Sequence, residues 1–190
     1  SSVSALGPTQ ARSDGTIIPA PTTVYGASKT ACEHLLEGFR LEHGVDSVSL
    51  RFPHVYGPRR STDCAIKTMI LDAIAGRTTR LGKVGDFPTQ YMHADDAALA
   101  LVTALLAPAL PARRYMATGG EFMPLSAVAQ IVREVVPGAK VEIEPGLDSP
   151  YEVQQEFDVS PVARDIGFRP QVRLRDGIRG TWEALAGKAA

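Results

Sequence analysis

The sequence predicts an α/β fold of the doubly wound type, in which helices cover a mainly parallel sheet. Apolar residues recur at helical spacing in some segments and at strand spacing in others, and the two kinds of segment alternate along the chain. The chain has 190 residues, of which 44% are hydrophobic. A chain of that size can bury one substantial core and a small second lobe.

The first long helix is predicted over residues 24–43, and Gly44 supplies its stop signal. Its apolar residues at helical spacing are Ala31, Leu35, Leu36 and Phe39. A strand is expected over residues 47–52. The carboxyl end of that strand should deliver Pro53 and His54 to the ligand side of the sheet.

The later elements are expected in alternation as well. They are helices over about 66–74, 95–106, 126–136 and 175–186, and strands over 115–117 and 141–143. Ser160 and Pro161 should supply an N-cap and a first-turn proline. The turn-rich segments 61–63 and 82–88 are expected in the smaller lobe.

Tyr25 and Lys29 are four residues apart on the first predicted helix, so a phenol and an ammonium share one helix face. A free phenol has a pKa of about 10 and is a poor base at neutral pH, whereas a neighbouring cation favours the phenolate. The pair is therefore a candidate proton-transfer device. The spacing by itself also arises by coincidence, so its meaning depends on the neighbouring segments.

Those segments follow one another in a characteristic order. They are Ser1–Gly7, Tyr25–Lys29, Leu50–Arg59, His93–Ala98, Asp158–Pro161 and Ile166–Pro170. Their order and spacing resemble the extended short-chain dehydrogenase/reductase family, also called the NAD-dependent epimerase/dehydratase family. The resemblance runs from Ser1 to about Leu185, which is nearly the whole chain.

The resemblance implies the C-terminal part of a Rossmann-like doubly wound parallel sheet plus a small mixed α/β substrate lobe. Residues 1–60 would form the C-terminal part of the dinucleotide-binding domain. Residues 61–190 would be mostly the substrate lobe, with residues 90–107 returning to the Rossmann-like domain.

The resemblance also implies site roles. Ser2, Tyr25 and Lys29 would be catalytic, with Ser1 and Ser4 as alternative serines beside Ser2. Tyr25, Lys29 and the backbone of Pro53 would bind the cofactor, which is NAD or NADP, with NAD favoured. Ser2 and His54 would contact the substrate, although His54 stands where the family usually has asparagine, and a histidine satisfied in a strand-end loop is an equal alternative.

Family members begin with a glycine-rich turn that binds the cofactor pyrophosphate, and the printed sequence has no segment of that spacing. We therefore expect this chain to be the C-terminal portion of a larger enzyme and to be inactive by itself. Family dehydratases also carry an Asp-Glu pair after the catalytic serine or threonine. Here Val3 and Ser4 follow Ser2, which argues against elimination chemistry.

The substrate is less defined than the family. Nucleotide-sugar enzymes commonly place a phosphate-binding arginine where this chain has Thr89 and Gln90. Arg59, Arg60 or Arg80 could substitute for it. The segments 23–26 and 44–46 also resemble the threonine dehydrogenase branch of the family, which acts on a smaller hydroxylated substrate.

Composition excludes other function classes. The net charge of −1 and the scattered basic residues predict no nucleic-acid partner, and the longest apolar run, around 97–106, is too short to span a membrane. With only two cysteines and no histidine cluster, a reduced, cytoplasmic protein without structural metal is expected. Cys32 is expected to be buried and apolar, and Cys64 could lie near the substrate.

A homodimer is expected to form through the helix over residues 24–43. Its second apolar stripe, which includes Cys32 and Leu36, exceeds what one sheet would cover, although it could instead cover the substrate lobe or widen the core. We predict the substrate-side portion of an NAD(P)-dependent sugar or nucleotide-sugar epimerase or dehydrogenase. The alternatives are a threonine-dehydrogenase-like enzyme and a non-catalytic dimerisation or binding module.

Overall fold

The computed structural model of the chain describes residues 1–9, 17–82, 85–146 and 152–187. After a 3-10 turn at Val3–Ala5, the helices are α1 (Val24–His43), α2 (Ala65–Ile74), α3 (Ala94–Leu106), α4 (Leu125–Val135), α5 (Ser160–Ile166) and α6 (Leu174–Ala186). The strands are β1 (Ser49–Arg51), β2 (His54–Tyr56), β3 (Thr78–Leu81), β4 (Pro88–His93), β5 (Arg114–Met116), β6 (Phe122–Pro124) and β7 (Lys140–Ile143).

The strands pair mostly in parallel, as the sequence predicts. β1 pairs with β5 and places Leu50 opposite Tyr115. β2 pairs with β4, and β3 pairs with β7, again in parallel. The one antiparallel pair among the described strands joins β4 to β6. The predicted α/β class is therefore confirmed.

Helices cover both faces of the β1/β5 pair, because successive side chains of a strand point to opposite faces. Leu50 and Tyr115 lie in one core cluster with Ala100 of α3 and Ile166 of α5. The next residue of β1, Arg51, bonds instead to α1. The helix that carries Tyr25 and Lys29 thus lies on the opposite face from α3 and α5.

A second core cluster lies between α2, α4 and α6. Ile70, Val132 and Ile178 are fully buried in it, one from each helix. Tyr56 of β2 packs into the same cluster, and its hydroxyl donates to the Leu174 carbonyl oxygen at 3.4 Å. β2 therefore links this helical cluster to the strands.

The predicted helix over residues 24–43 is confirmed at both ends. Gly44 has a φ of 68°, and its N–H donates to the Arg40 carbonyl, which is a left-handed C-terminal cap. The predicted strand over 47–52 is wrong in extent. β1 ends at Arg51, and His54 already belongs to β2, because Pro53 between them has no N–H for a ladder bond.

Two local predictions are also wrong. Val159 rather than Ser160 is the N-cap of α5, and the Asp158 carboxylate accepts from both the N–H and the hydroxyl of Ser160. Cys32 is exposed instead of buried, because α1 meets the rest of the described chain along a different stripe. None of the helices in the described ranges is long and apolar enough to cross a membrane.

Candidate functional site

The N-terminal turn of α1 presents the two residues of the predicted proton-transfer pair. Thr23 is the N-cap, and its hydroxyl oxygen accepts from the Gly26 N–H at 3.0 Å. The cap begins the helix at Val24, so Tyr25 and Lys29 occupy its first two turns. The Lys29 ammonium nitrogen lies 5.3 Å from the centroid of the Tyr25 ring, and Tyr25 is 55% exposed.

The segment that contains Ser2 packs against the same turns of α1. A Cβ atom added to Gly26 would lie 2.3 Å from the Ser4 carbonyl oxygen, so only glycine permits this approach. One turn later, the Thr30 hydroxyl donates to the Ala5 carbonyl at 2.8 Å. The structure therefore brings the Ser2 segment against the helix that carries Tyr25 and Lys29.

Ser2 itself is largely buried, and its hydroxyl oxygen accepts from the Ser4 N–H at 3.2 Å. This bond caps the 3-10 turn and leaves the hydroxyl proton available for donation. Within the described ranges, no hydrogen bond joins the Ser2 hydroxyl to the side chain of Tyr25 or Lys29. The Val3 N–H donates to the Phe52 carbonyl at 2.9 Å, which brings the serine segment beside the end of β1.

Pro53 is half-buried at that end of β1, and His54 is exposed at the start of β2. The His54 ring centroid lies 5.9 Å from that of Tyr91, its partner in the β2/β4 register. Surrounding protein atoms limit hydration of the imidazole, which lowers the pKa of His54. The charge of Arg60 lowers this pKa further, and the smaller effect of the Glu152 charge raises it. His54 is therefore a neutral hydrogen-bonding group at neutral pH.

The other described tyrosines are poor candidates for proton abstraction. Burial raises the pKa of Tyr56 and of Tyr91 far above the ordinary phenol value. Burial also raises the pKa of Tyr115, whose hydroxyl donates to Asp165. These phenols stay neutral, whereas Tyr25 combines exposure with a neighbouring cation. The geometry therefore favours Tyr25 among the described tyrosines.

The arginines named as phosphate-binding substitutes are partly engaged elsewhere. The Arg60 guanidinium donates to the carbonyl oxygens of Val55, Thr62 and Asp63, so it stabilises its own loop. Arg80 pairs with Glu142 at 3.0 Å on the surface. Arg59 is exposed, and it is the one of the three whose side chain makes neither an ion pair nor a hydrogen bond with the described residues.

Sequence reasoning missed one residue near this site, Glu33 of α1. The residue is 4% exposed, and its carboxylate accepts two hydrogen bonds from Arg51. A signal was present, because Glu33 follows Lys29 by four residues and interrupts an apolar stretch. Nothing in the described residues forms a cluster of three or more metal-binding side chains.

Comparisons with known proteins identify the family and the fold of this chain. The model of the NAD dependent epimerase/dehydratase family matches residues 1–116. A dTDP-glucose 4,6-dehydratase of Shigella flexneri is 26% identical over 175 residues, which cover 86% of this chain and 47% of that protein. The chain thus spans about half the length of the curated relatives that it matches.

Among solved structures, a partial-consensus L-threonine 3-dehydrogenase superimposes with a TM-score of 0.86 and 26% identity, over 98% of this chain and 64% of that chain. The UDP-glucuronic acid 4-epimerase from Bacillus cereus, in complex with UDP-glucuronic acid and NAD, superimposes with a TM-score of 0.82 and 21% identity. The match covers 100% of this chain and 60% of that chain. The second likeness shows the fold alone. With the family model matching more than half of it, the chain belongs to the NAD-dependent epimerase/dehydratase family.

Proposed function

We propose that this chain supplies the proton-transfer and substrate side of an NAD(P)-dependent epimerase or dehydrogenase that acts on a secondary alcohol of a sugar or nucleotide sugar. The single observation that carries the proposal is the Tyr25–Lys29 pair, with the ammonium 5.3 Å from the phenol ring centroid. The pair lies on the helix turns that the Ser2 segment contacts. A base, a cation and a hydroxyl donor are the groups that alcohol oxidation requires.

Each residue has a distinct role in this proposal. Tyr25 takes the proton of the substrate hydroxyl, and Lys29 favours the phenolate form that accepts it. Ser2 donates its free hydroxyl proton to the same substrate oxygen. When bound, a nicotinamide supplies the hydride acceptor for the adjacent carbon. In an epimerase Tyr25 would return the proton to the same substrate oxygen, whereas in a dehydrogenase the oxidised product would leave.

The donor set fits one end of such a cofactor. The half-buried Lys29 ammonium carries three N–H donors, which suit ribose hydroxyl oxygens. Pro53, at the end of β1, would face the carboxamide through its carbonyl oxygen. The described residues thus supply candidates for the nicotinamide-ribose end. NAD is proposed as the favoured form, in keeping with the NAD dependent epimerase/dehydratase family whose model matches residues 1–116.

Elimination chemistry has less support, although curated relatives include dTDP-glucose 4,6-dehydratases. The residues after Ser2 are the buried Val3 and the half-buried Ser4. Neither side chain is a carboxyl group that could act as the second acid or base. We therefore keep an epimerase or dehydrogenase as the proposal.

A dehydrogenase of a small hydroxylated substrate, similar to threonine dehydrogenase, is the second candidate. The engagement of Arg60 by three carbonyl oxygens favours it, because fewer free cations remain for a diphosphate. Threonine dehydrogenase structures also match at 26% identity. A non-catalytic dimerisation or binding module is the third candidate function.

We propose that residues 1–60 form the C-terminal part of a dinucleotide-binding domain. Residues 61–190 would be mostly the substrate lobe, except that residues 90–107 would return to the dinucleotide-binding domain. β5 and α5 are assigned to the dinucleotide-binding domain as well, because they pack with β1. A cytoplasmic homodimer remains part of the proposal.

A substrate panel tests these candidates in the enzyme that contains this chain. With NAD and with NADP, UDP-glucose, UDP-glucuronic acid, dTDP-glucose, a free hexose and L-threonine are tested for cofactor reduction and for epimerisation. Arg59→Ala should raise the KM of a nucleotide sugar and leave that of a small substrate unchanged. Arg77→Ala, which opens a surface pair with Asp72, is the matched control. Inactivity on the whole panel with both cofactors would contradict the proposal.

A further inference from the structure

Glu33 is a buried carboxylate on the helix of the proposed proton-transfer pair. Its Oε1 accepts from the Ser1 hydroxyl at 2.6 Å and from Arg51 Nε at 2.9 Å. Its Oε2 accepts from Arg51 Nη2 at 2.6 Å and lies 3.3 Å from Arg114 Nε. All three partners lie outside α1, so this single carboxylate joins the helix to three other segments.

Those segments are the ones that hold the proposed site residues. Ser1 immediately precedes Ser2, and Arg51 is the last residue of β1, two residues before Pro53. Arg114 begins β5, the parallel neighbour of β1. A displacement of Glu33 would therefore change the position of the Ser2 segment and of the β1 end relative to α1.

The placement of Glu33 along α1 completes the connection. It follows Lys29 by four residues and Tyr25 by eight, so the three side chains lie along one stripe of the helix at successive turns. Thr30 and Gly26 contact the serine segment near the same stripe. The Glu33 contacts, one turn beyond Lys29, therefore oppose rotation of α1 about its own axis, together with the contacts of Gly26 and Thr30.

The pair with Arg51 has the geometry needed for such a role. The guanidinium donates through two nitrogens to two oxygens, which sets both distance and orientation. Both partners are largely removed from solvent, with side-chain exposures of 11% for Arg51 and 3% for Glu33. Burial acts to raise the pKa of Glu33, but the hydrogen bonds from Arg51 and Ser1 outweigh it, so the carboxyl pKa is lower than usual.

We propose that Glu33, through Arg51 and Ser1, is a positioning residue that sets the geometry of Tyr25 and Lys29 relative to Ser2. This inference rests on the proposed function, because Tyr25 and Lys29 carry the chemistry there. Glu33 touches neither substrate nor cofactor. Its effect is on the orientation of the proton acceptor, and orientation errors of about 1 Å cost up to roughly 100-fold in rate.

The test compares Glu33→Gln with Glu37→Gln in the enzyme that contains this chain. Glu37 lies one turn further along α1 and pairs with Arg40 on the surface, so it is a matched control. We expect Glu33→Gln to lower the single-turnover rate of hydride transfer roughly 10- to 100-fold in the folded enzyme. The dissociation constant of the cofactor should stay within about threefold of wild type, because the cofactor-binding atoms remain. Glu37→Gln should change neither value.

A second readout does not depend on activity. Amide hydrogen exchange of residues 24–33 should become about tenfold faster in Glu33→Gln and stay unchanged in Glu37→Gln, because the lost contacts hold that part of the helix closed. If Glu33→Gln does not fold, Arg51→Lys takes its place, since lysine keeps the charge but cannot form the two-nitrogen contact. The same outcomes are expected of it.

The results separate this inference from the proposed function. If Tyr25→Phe abolishes turnover while folded Glu33→Gln keeps wild-type hydride transfer and exchange rates, the positioning role is wrong and the proposed function stands. If Tyr25→Phe is fully active, the proposed function is wrong. In that case hydrogen exchange alone decides whether Glu33 fixes α1.

Discussion

The Lys29 ammonium lies beside the Tyr25 ring, 5.3 Å from its centroid, across one turn of α1. The distance places a full positive charge next to a half-exposed phenol, at the turns of the helix that the serine segment contacts. In the proposed function this cation assists proton acceptance by the phenol.

Removal of the Lys29 ammonium should lower activity. We expect Lys29→Met to reduce turnover, because methionine has neither the charge beside the Tyr25 ring nor the N–H donors proposed for the cofactor ribose. Lys29→Arg keeps a charge and N–H donors and should lose less turnover than Lys29→Met. Turnover of the three proteins measures this, and wild-type turnover in Lys29→Met would remove the proposed role of Lys29.

The packing at Gly26 should tolerate no side chain. In Gly26→Ala the new Cβ would meet the Ser4 carbonyl oxygen at 2.3 Å, so the serine segment or α1 must shift. We expect a loss of about 1–3 kcal/mol in the free energy of unfolding and a lower turnover number, because Ser2 moves relative to Tyr25.

Gly38→Ala is the matched control on the same helix. Nothing lies within 4 Å of its added Cβ, so this variant should gain about 0.5–1 kcal/mol through helix propensity. Urea unfolding monitored by circular dichroism measures both variants. Equal stability of the two alanine variants would contradict the close approach at Gly26.

The Glu33 carboxylate should make the stability of the protein depend on pH under acidic conditions. Its pKa is lower in the folded state than its ordinary value of 4.5. The stabilising contribution of the ionised group is therefore complete above about pH 4.5 and is lost as the pH falls through the lowered folded-state pKa.

Glu33→Gln should lose about 3 kcal/mol at neutral pH, and the difference from wild type should shrink below pH 4.5. Urea midpoints from neutral to acidic pH measure it. In Glu37→Gln, which opens a half-exposed pair with Arg40, the difference should be small at every pH. A constant loss across the whole pH range would show that the ionised carboxylate is not the cause.

The exposed apolar stripe of α1 should form a dimer interface. Leu35 is 62% exposed and Phe39 is 51% exposed, one turn apart on the same side as the exposed Cys32. Neither Leu35 nor Phe39 belongs to a core cluster of the described residues, so this stripe does not extend the hydrophobic core there. Leu35→Glu should convert a dimer to a monomer by light scattering.

Leu41→Glu provides the control for that interface. Leu41 is equally exposed, at 68%, but six residues from Leu35 it lies on another side of the helix. This variant should remain dimeric. A wild-type monomer at micromolar concentration, or a Leu35→Glu protein that stays dimeric, would leave the stripe without this role.

The structural features that local sequence patterns determine are the ones that the sequence predicts best. The bounds of α1 followed from its apolar spacing and from Gly44, and both act within a few residues. The strands β2, β3, β4 and β6 are not among the predicted strands, because short strands carry little periodic signal and are defined by partners distant in sequence. The break at Pro53 was missed as well, although the missing N–H of proline explains it.

The same reasoning explains why the candidate site was only partly predicted. The Tyr25–Lys29 contact follows from helix geometry. Glu33 has the sequence pattern of an ordinary solvated acid, and only the fold places its partner Arg51, 18 residues away, beside it. Cys32 was predicted to be buried because its helix is apolar on more than one side. Which side is covered depends on neighbours that no local pattern specifies.

The most direct test of the account is the single-turnover rate of hydride transfer in Tyr25→Phe, measured on the enzyme that contains this chain with a substrate found in the panel. The account predicts a rate about two to four decades below wild type with nearly unchanged cofactor affinity, because only the proton acceptor is lost. Tyr115→Phe loses bonds to Asp165 and Ala112 on the face of the β1/β5 pair opposite to α1, so it should keep its rate. A Tyr25→Phe enzyme that retains more than about a tenth of the wild-type rate would contradict the central claim.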